Sequence, residues 1–351
     1  MDAAENPDSL ESAIQMDQIR LELGYGLLKM VNDKNTKSLT EQIKTLRHQL
    51  AAEIGFILPS VRIQDNLQIG ATEYSIKIKE VEAGKGSLRP NQLLAMNPSG
   101  DPIELVGEST QDPAFGIPAM WFSIDQRTTA EKKGYTIVPV ETVLITHFSE
   151  IVKDNLPELL TYAETRKILE HLPPDHDKLL KEIVPSQVSY GTIQRVLHSL
   201  LRERVSIRDL SSILEAIAEV CSSTTNVRSI SEHVRSRLAR QICSGYADAN
   251  NILSVVHLSS EWEKIFLESL YGEGENKQLT ISPSQLQDFI TKTKNILDEL
   301  GSKGNQPVLL TSSPIRFHVR NLIERFHPLT PVLAQTEIHP RVRIKTIGHV
   351  D

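Results

Sequence analysis

The strongest constraint in this sequence is a change of hydrophobic period along the chain. Up to about residue 145, apolar and polar residues alternate in short runs broken by turns. From about Glu150 to Ser244 the apolar residues recur at helical spacing with no convincing strand, and after Asn250 the alternation returns. A period of two belongs to half-buried strands and a period of 3.6 to helices. The chain therefore reads as α+β multidomain, with an all-helical region between two mixed regions.

Within the first region, Ser38-Leu-Thr-Glu41 is a capping box that opens a helix carrying Ile43, Leu46, Leu50 and Ile54, with Gly55 as the stop. Val61–Gln64, Tyr74–Lys79, Leu93–Met96, Trp121–Ile124, Tyr135–Val138 and Val143–Ile145 read as short strands. Residues 1–20 read as a linker or marginal helix. In the central region, Ile193, Val196, Leu197, Leu200 and Leu201 form one stripe and Leu210, Ile213, Leu214 and Ile217 another. Ser229-Ile-Ser-Glu232 caps a third, with Val234, Leu238 and Ile242. Such stripes pack as a helical bundle or short superhelix. Beyond it, Ile252–Leu258 is a strand, Ser284–Gln287 opens a helix that Gly301 ends, and residues 307–310, 314–326 and 331–335 form a strand–helix–strand unit.

Composition narrows the function classes. The 351 residues carry a formal net charge of -7, against the basic field that nonspecific nucleic-acid binding needs. Cys221 and Cys243 are the two cysteines, too few for a disulfide framework or a cysteine-based zinc site and suited to a reducing setting. No run approaches the roughly 20 apolar residues of a membrane helix, and residues 1–20 lack the regions of a signal peptide, so the chain reads as soluble.

Motifs of enzyme chemistry are absent or weak. Ala83-Gly-Lys-Gly-Ser87 lacks the spacing of a phosphate-binding loop and reads as a hairpin turn. His171-Leu-Pro-Pro-Asp-His176 reads as an interhelical loop, because its prolines keep both imidazoles off one helix face. Thr146–Glu150 reads as a strand-to-helix junction capped by Thr146 or Ser149. The basic residues Arg316, His318, Arg320, Arg325, His327, Arg341, Arg343 and Lys345 read as a solvated helix face plus an edge strand. Thr311, Ser312 and Ser313 would cap the following helix, or bind an anion if this last region were an enzyme. Phe115, flanked by Ala114 and Gly116, either fills a core or lines a groove, and composition favours the core.

Several segments, in one order, carry a resemblance. They are Leu23-Gly-Tyr-Gly-Leu-Leu28, Glu53-Ile-Gly-Phe56 with Pro59, Val61–Asn66, Asp112-Pro-Ala-Phe-Gly-Ile117, Gly134–Val138, Thr146-His147, and Val205–Leu210 with Ile213–Ala216. Over about residues 20 to 350 the chain resembles the cytosolic half of the flagellar branch of the export-gate (FHIPEP) family of bacterial type III secretion. One departure is Asp17-Gln-Ile-Arg20, where the family commonly has a proline after the aspartate.

The resemblance implies a fold and a role. It implies a linker (1–20) and a split α/β first domain (21–90 and 140–160) that holds a small ferredoxin-like α+β insertion (91–139). A helical domain (161–245) and a C-terminal α/β domain (246–351) follow. A transmembrane half would precede the chain at the cytoplasmic face of the inner membrane. The family's role is a non-enzymatic docking platform, with hinge motion between domains, no cofactor, no metal and no nucleic acid. Its partners are flagellar export chaperones with cargo, the export ATPase complex, other export-gate subunits and further copies of itself in a nine-membered ring. The resemblance maps the family's chaperone-binding dimple onto Asp112, Phe115 and Thr146, with Pro98, Ile117, Val138 and Val143 lining it. It thereby turns Phe115 from core to binding hot spot. The alternatives are the equivalent gate domain of a virulence injectisome, which differs in partners, and an enzyme built on the C-terminal α/β domain.

Overall fold

The computed structural model describes residues 16–31, 38–98, 101–272 and 277–351. The chain divides into two compact units, Met1–Thr161 and Tyr162–Asp351. In the first unit, β1 (Ile19–Leu23) leads through a 3₁₀ turn to α1 (Leu39–Ile54), then β2 (Val61–Asp65), β3 (Glu73–Ile78) and β4 (Val81–Ser87). These strands form one sheet in the order β2-β1-β3-β4, with β1 parallel to β2 and antiparallel to β3. Ser38 caps α1 by accepting the Glu41 N–H at 3.3 Å, and Leu39, Ile43, Leu46, Leu50 and Ile54 are buried. Residues 1–15 of the expected linker lie outside the described residues, and Ile19 and Arg20 already belong to β1.

The hairpin between β3 and β4 turns at Lys79 and Glu80, both at positive φ (49° and 68°), as a two-residue hairpin requires. Ala83-Gly-Lys-Gly-Ser87 is therefore part of strand β4 and not the turn. Between β4 and the next long helix the chain builds a second sheet of β5 (Gln92–Met96), β6 (Gly107–Gln111), β7 (Pro118–Ser123) and β8 (Thr136–Pro139), with α2 (Arg127–Lys132) before β8. Its order is β6-β7-β5-β8 with every pair antiparallel, over a small core of Leu93, Ala95, Phe122 and Ala130.

The helix that follows corrects two expectations. Val143–Ile145 is not a strand and Thr146–Glu150 is not a junction, because both lie inside α3 (Val140–Asp154), with Pro139 at its N-cap and Glu141 in its first turn. Val140, Val143, Leu144, His147, Phe148 and Val152 are its buried residues, at the spacing of one helix face. Three adjacent apolar residues cannot separate helix from strand. The stripe is legible only when it is counted from Pro139. The short α4 (Leu156–Leu159) ends the unit.

The second unit opens with helices α5 (Tyr162–Glu170), α6 (Pro174–Ile183), α7 (Tyr190–Arg202), α8 (Leu210–Cys221), α9 (Val227–Arg237) and α10 (Ala239–Tyr246). The stripe residues from Ile193 to Ile217 named above are all buried. Asn226 caps α9 by accepting the N–H groups of Arg228 and Ser229, so Ser229 lies inside that helix and is not its cap. His176 likewise lies in α6, where Pro173 is the N-cap and Pro174 starts the helix, and not in a loop.

The last third runs β9 (Ile252–Leu258), α11 (Ser260–Glu268), β10 (Leu270–Tyr271), β11 (Gln278–Leu279), α12 (Pro283–Ser302), β12 (Val308–Thr311), α13 (Ser313–Ile323), β13 (Val332–Ala334) and β14 (Arg343–Val350). Its main sheet is parallel throughout, in the order β13-β12-β9-β14. Trp262, Phe266 and Phe289 meet edge-on or tilted beside it, with the Phe266 and Phe289 centroids 4.8 Å apart. Ser282, with Pro283 behind it, caps α12, two residues ahead of the expected start at Ser284.

Arg316 and Arg320 are not on a solvated face. Arg316 is fully buried and forks onto both Glu203 oxygens (2.6 and 2.9 Å) and onto Glu232 (2.6 Å to Oε2). Arg235 reaches Glu203 at 3.1 Å and donates to Glu337 at 2.6 Å, and Arg320 donates to the Thr330 carbonyl at 2.8 Å. Burial works against the charge of Glu203, but Arg235 and Arg316 outweigh it and hold its carboxyl down at about 2. Such a network is costly to break from one side, because the remaining carboxylates lose a partner they cannot replace with bulk water.

Two outcomes follow for the folded chain. Arg316→Met, which leaves Glu203 and Glu232 without their shared partner, should lower stability by about 3–5 kcal/mol, read as a fall in the urea midpoint. Because the folded pKa of Glu203 lies below its unfolded value, its contribution is complete above about pH 5 and is lost as the pH falls toward 2. The urea midpoint of the wild type should therefore drop more steeply between pH 5 and pH 3 than that of Glu203→Gln.

Candidate functional site

Asp112 begins the loop that joins β6 to β7, and its main chain closes that loop. Its N–H donates to the Ile117 carbonyl and its carbonyl accepts the Gly116 N–H, each at 2.8 Å. Its carboxylate, on a residue only 5% exposed, accepts the N–H groups of Ala114 (3.1 Å) and Phe115 (2.8 Å). Gly116 takes the left-handed conformation (φ 67°) that lets the loop double back. Phe115, its backbone N–H tied to Asp112, is 47% exposed, and Ile117 is 43% exposed. Composition favours a core place for Phe115, and the structure overturns it.

Thr146 is half-buried on α3, next to His147. His147 and Tyr74 of β3 are both buried, with Tyr74 Oη 2.7 Å from His147 Nδ1 and the rings edge-on at 5.8 Å. The approach depends on two glycines of β4. A Cβ at Gly84 would lie 2.8 Å from Ile151 Cδ1 and 3.2 Å from His147 Nε2, and one at Gly86 would lie 2.5 Å from Tyr74 Oη. Burial pushes the Tyr74 phenol well up, and the charge of Asp112 adds to it. Burial pushes the His147 imidazole down, and Asp112 partly offsets it. The Asp112 carboxylate is thus close enough to act on both rings.

The other expected lining residues are spread over the second sheet. Met96 pairs with Ala119, so the register carries Pro98 towards Ile117 at one end of that sheet, and both are exposed. Val138 pairs with Leu94 and is half-buried, whereas Val143 is fully buried on α3 and belongs to the core beneath. Sequence reasoning missed Tyr74 and His147 as partners. The available signal was a tyrosine on an alternating strand facing a strand with glycine at alternate positions.

The competing sites resolve into structure. A cavity of about 550 Å³ lies at the carboxyl ends of β9 and β12, lined by His257, Glu263, Lys264, Ser312 and Gln335 among others. At its edge the N-terminus of α13 is taken by Glu263, whose carboxylate accepts the Ser312 N–H at 2.9 Å and its hydroxyl proton. A side chain of the same protein fills the place an anion would take, and the hydroxyl of Ser312 makes no cap of its own. His176 pairs with Glu215 at 3.1 Å, and His171 faces the Lys167 carbonyl. Among the described residues no group of three or more His, Cys, Asp or Glu is placed to hold a metal, and no helix is long and apolar enough to cross a membrane.

The family model described as "FHIPEP family" matches residues 1–343. The flagellar biosynthesis protein FlhA of Caulobacter vibrioides is 47% identical over 343 residues, which cover 98% of this chain and 49% of that protein. The chain spans about half the length of the curated relatives it matches. Among solved structures, the Chlamydia pneumoniae CdsV and CdsO protein complex contains a chain that superposes with a TM-score of 0.84 at 24% identity, covering 99% of this chain and 100% of that one. The nonameric EPEC SctV-C superposes with a TM-score of 0.77 at 23% identity, covering 96% and 99%. At these identities the superpositions establish the fold, a mixed α/β multidomain architecture.

Asp112→Ala removes the acceptor of two loop N–H groups and should cost about 1–2 kcal/mol in chemical unfolding. Asp112→Asn keeps a side-chain oxygen at that place and should cost less than half as much. Equal losses in the two variants would place the role of Asp112 outside the loop.

Proposed function

The chain belongs to the FHIPEP family, and from that premise we propose that it is the cytoplasmic docking platform of a flagellar type III export gate. It would receive export chaperones carrying their cargo, and the export ATPase complex, for ordered secretion. A family of secretion components fits a surface that presents an exposed aromatic on a loop closed by its own hydrogen bonds. The observation that carries the reading is Phe115: a large apolar side chain left half-exposed on a loop whose backbone is fixed by a buried carboxylate. Interface hot spots have this form, an aromatic anchor with hydrogen-bonding groups near it, here Thr146 at the surface and Asp112 holding the loop from beneath. Pro98 and Ile117 extend the apolar surface, Val138 borders it and Val143 backs it.

The wider assembly belongs to the same proposal. The nonamer of the EPEC relative and the CdsO complex of the Chlamydia relative support a ring of nine copies that meets a component of the ATPase machinery. A preceding transmembrane half would tether the ring to other export-gate subunits at the inner membrane. The first domain would be residues 21–90 and 140–160 around the insertion 91–139, supported by the placement of β5–β8 between β4 and α3. Residues 161–245 and 246–351 would be the helical and C-terminal domains.

Calorimetric titration of the chain with a flagellar export chaperone bound to its cargo tests the reading. Phe115→Ala should keep the wild-type unfolding midpoint and weaken binding by at least about 2 kcal/mol, roughly thirtyfold. Binding by Phe115→Ala equal to that of the wild type would overturn the site. Binding of injectisome chaperones in preference to flagellar ones would move the protein to the injectisome branch.

A further inference from the structure

We infer that Tyr74 and His147 are positioning residues of this docking site: their hydrogen bond sets the rotation of α3, and through it the presentation of Thr146 to the partner. The inference rests on the docking reading of Phe115 and Thr146. Of the six buried residues on α3, only His147 is polar, and the others are Val, Leu and Phe. Apolar contacts carry no directional preference of their own. A hydrogen bond is directional, and buried phenol and imidazole groups each need a partner. The 2.7 Å contact from Tyr74 Oη to His147 Nδ1 is therefore the contact on this face that discriminates one rotation of α3 from its neighbours.

The sheet is built to permit that contact. Gly84 and Gly86 remove the Cβ atoms that would otherwise meet Ile151, His147 and the Tyr74 hydroxyl. Tyr74 is held in turn by its place opposite Gly86 in the β3–β4 register. Thr146 precedes His147 and points about 100° around the helix from it, so a roll of α3 moves the threonine hydroxyl directly. The charge of Asp112, at the start of the Phe115 loop, acts on both rings.

The test is Tyr74→Phe, which removes one oxygen and keeps the ring. In the chain alone, the methyl resonance of Thr146 should shift in the NMR spectrum while resonances of the second unit stay in place. In the chaperone–cargo titration the affinity should fall by about tenfold. Combined with Thr146→Val, the loss should be no greater than for the larger single variant, since both act through one hydroxyl. An unmoved Thr146 resonance, or additive losses, would overturn the inference. If Phe115→Ala binds as the wild type does, the docking reading fails, and the Thr146 resonance alone still decides whether the pair positions α3. If Tyr74→Phe does not fold, His147→Gln, which keeps a polar amide within reach of Tyr74, should retain the Thr146 resonance and most of the affinity. His147→Leu should lose both, and equal behaviour of the two variants would refute the positioning role.

Discussion

A helix can approach a sheet only as closely as the Cβ atoms beneath it allow. On β4 the alternate positions Gly84 and Gly86 carry none, and α3 comes down until an imidazole on the helix meets a phenol on the sheet. The candidate docking site depends on that approach. Thr146 has its place because α3 is seated there, and β5–β8 fill the stretch of chain between β4 and that helix. Asp112, whose carboxylate organises the Phe115 loop, also acts on the buried pair. One contact thus joins the architecture of the first unit to its exposed surface.

The second unit solves a different problem. Its helices and its parallel sheet are joined by six charged residues, three carboxylates and three guanidiniums, all with side chains buried except the half-buried Glu232. Formal charge balances within the cluster, and Arg316 satisfies two glutamates at once through its planar fork. The donor geometry of the fork is fixed, and stability is at risk whenever a single partner is lost.

Phe115 shows how an exposed aromatic is maintained. A flexible loop would bury the ring to remove apolar surface from water. Here the loop is held in one shape by the Asp112 carboxylate, which takes the backbone N–H of Phe115 itself, and by the positive φ of Gly116, and in that shape the ring is exposed. If the ring meets a partner, the backbone that carries it is already ordered.

The sequence by itself determined the order of the regions, the helix after Ser38, the buried stripes from Ile193 to Ile217 and the strands around Tyr74 and Leu253, because period and capping are local properties of the chain. Through its motifs it also carried the resemblance from which the candidate docking residues are drawn, though not a physical reason for them. Only the tertiary structure decided that Val143–Ile145 is helix, since three adjacent apolar residues suit either period, and that Ala83–Ser87 is strand, since glycine signals a turn until something packs against it. It also decided that Arg316 is buried and that Phe115 is exposed. Both reverse the ordinary preference of the side chain. In each case the deciding partner, Glu203 for the one and the Asp112 carboxylate for the other, is chosen by geometry that no local pattern encodes.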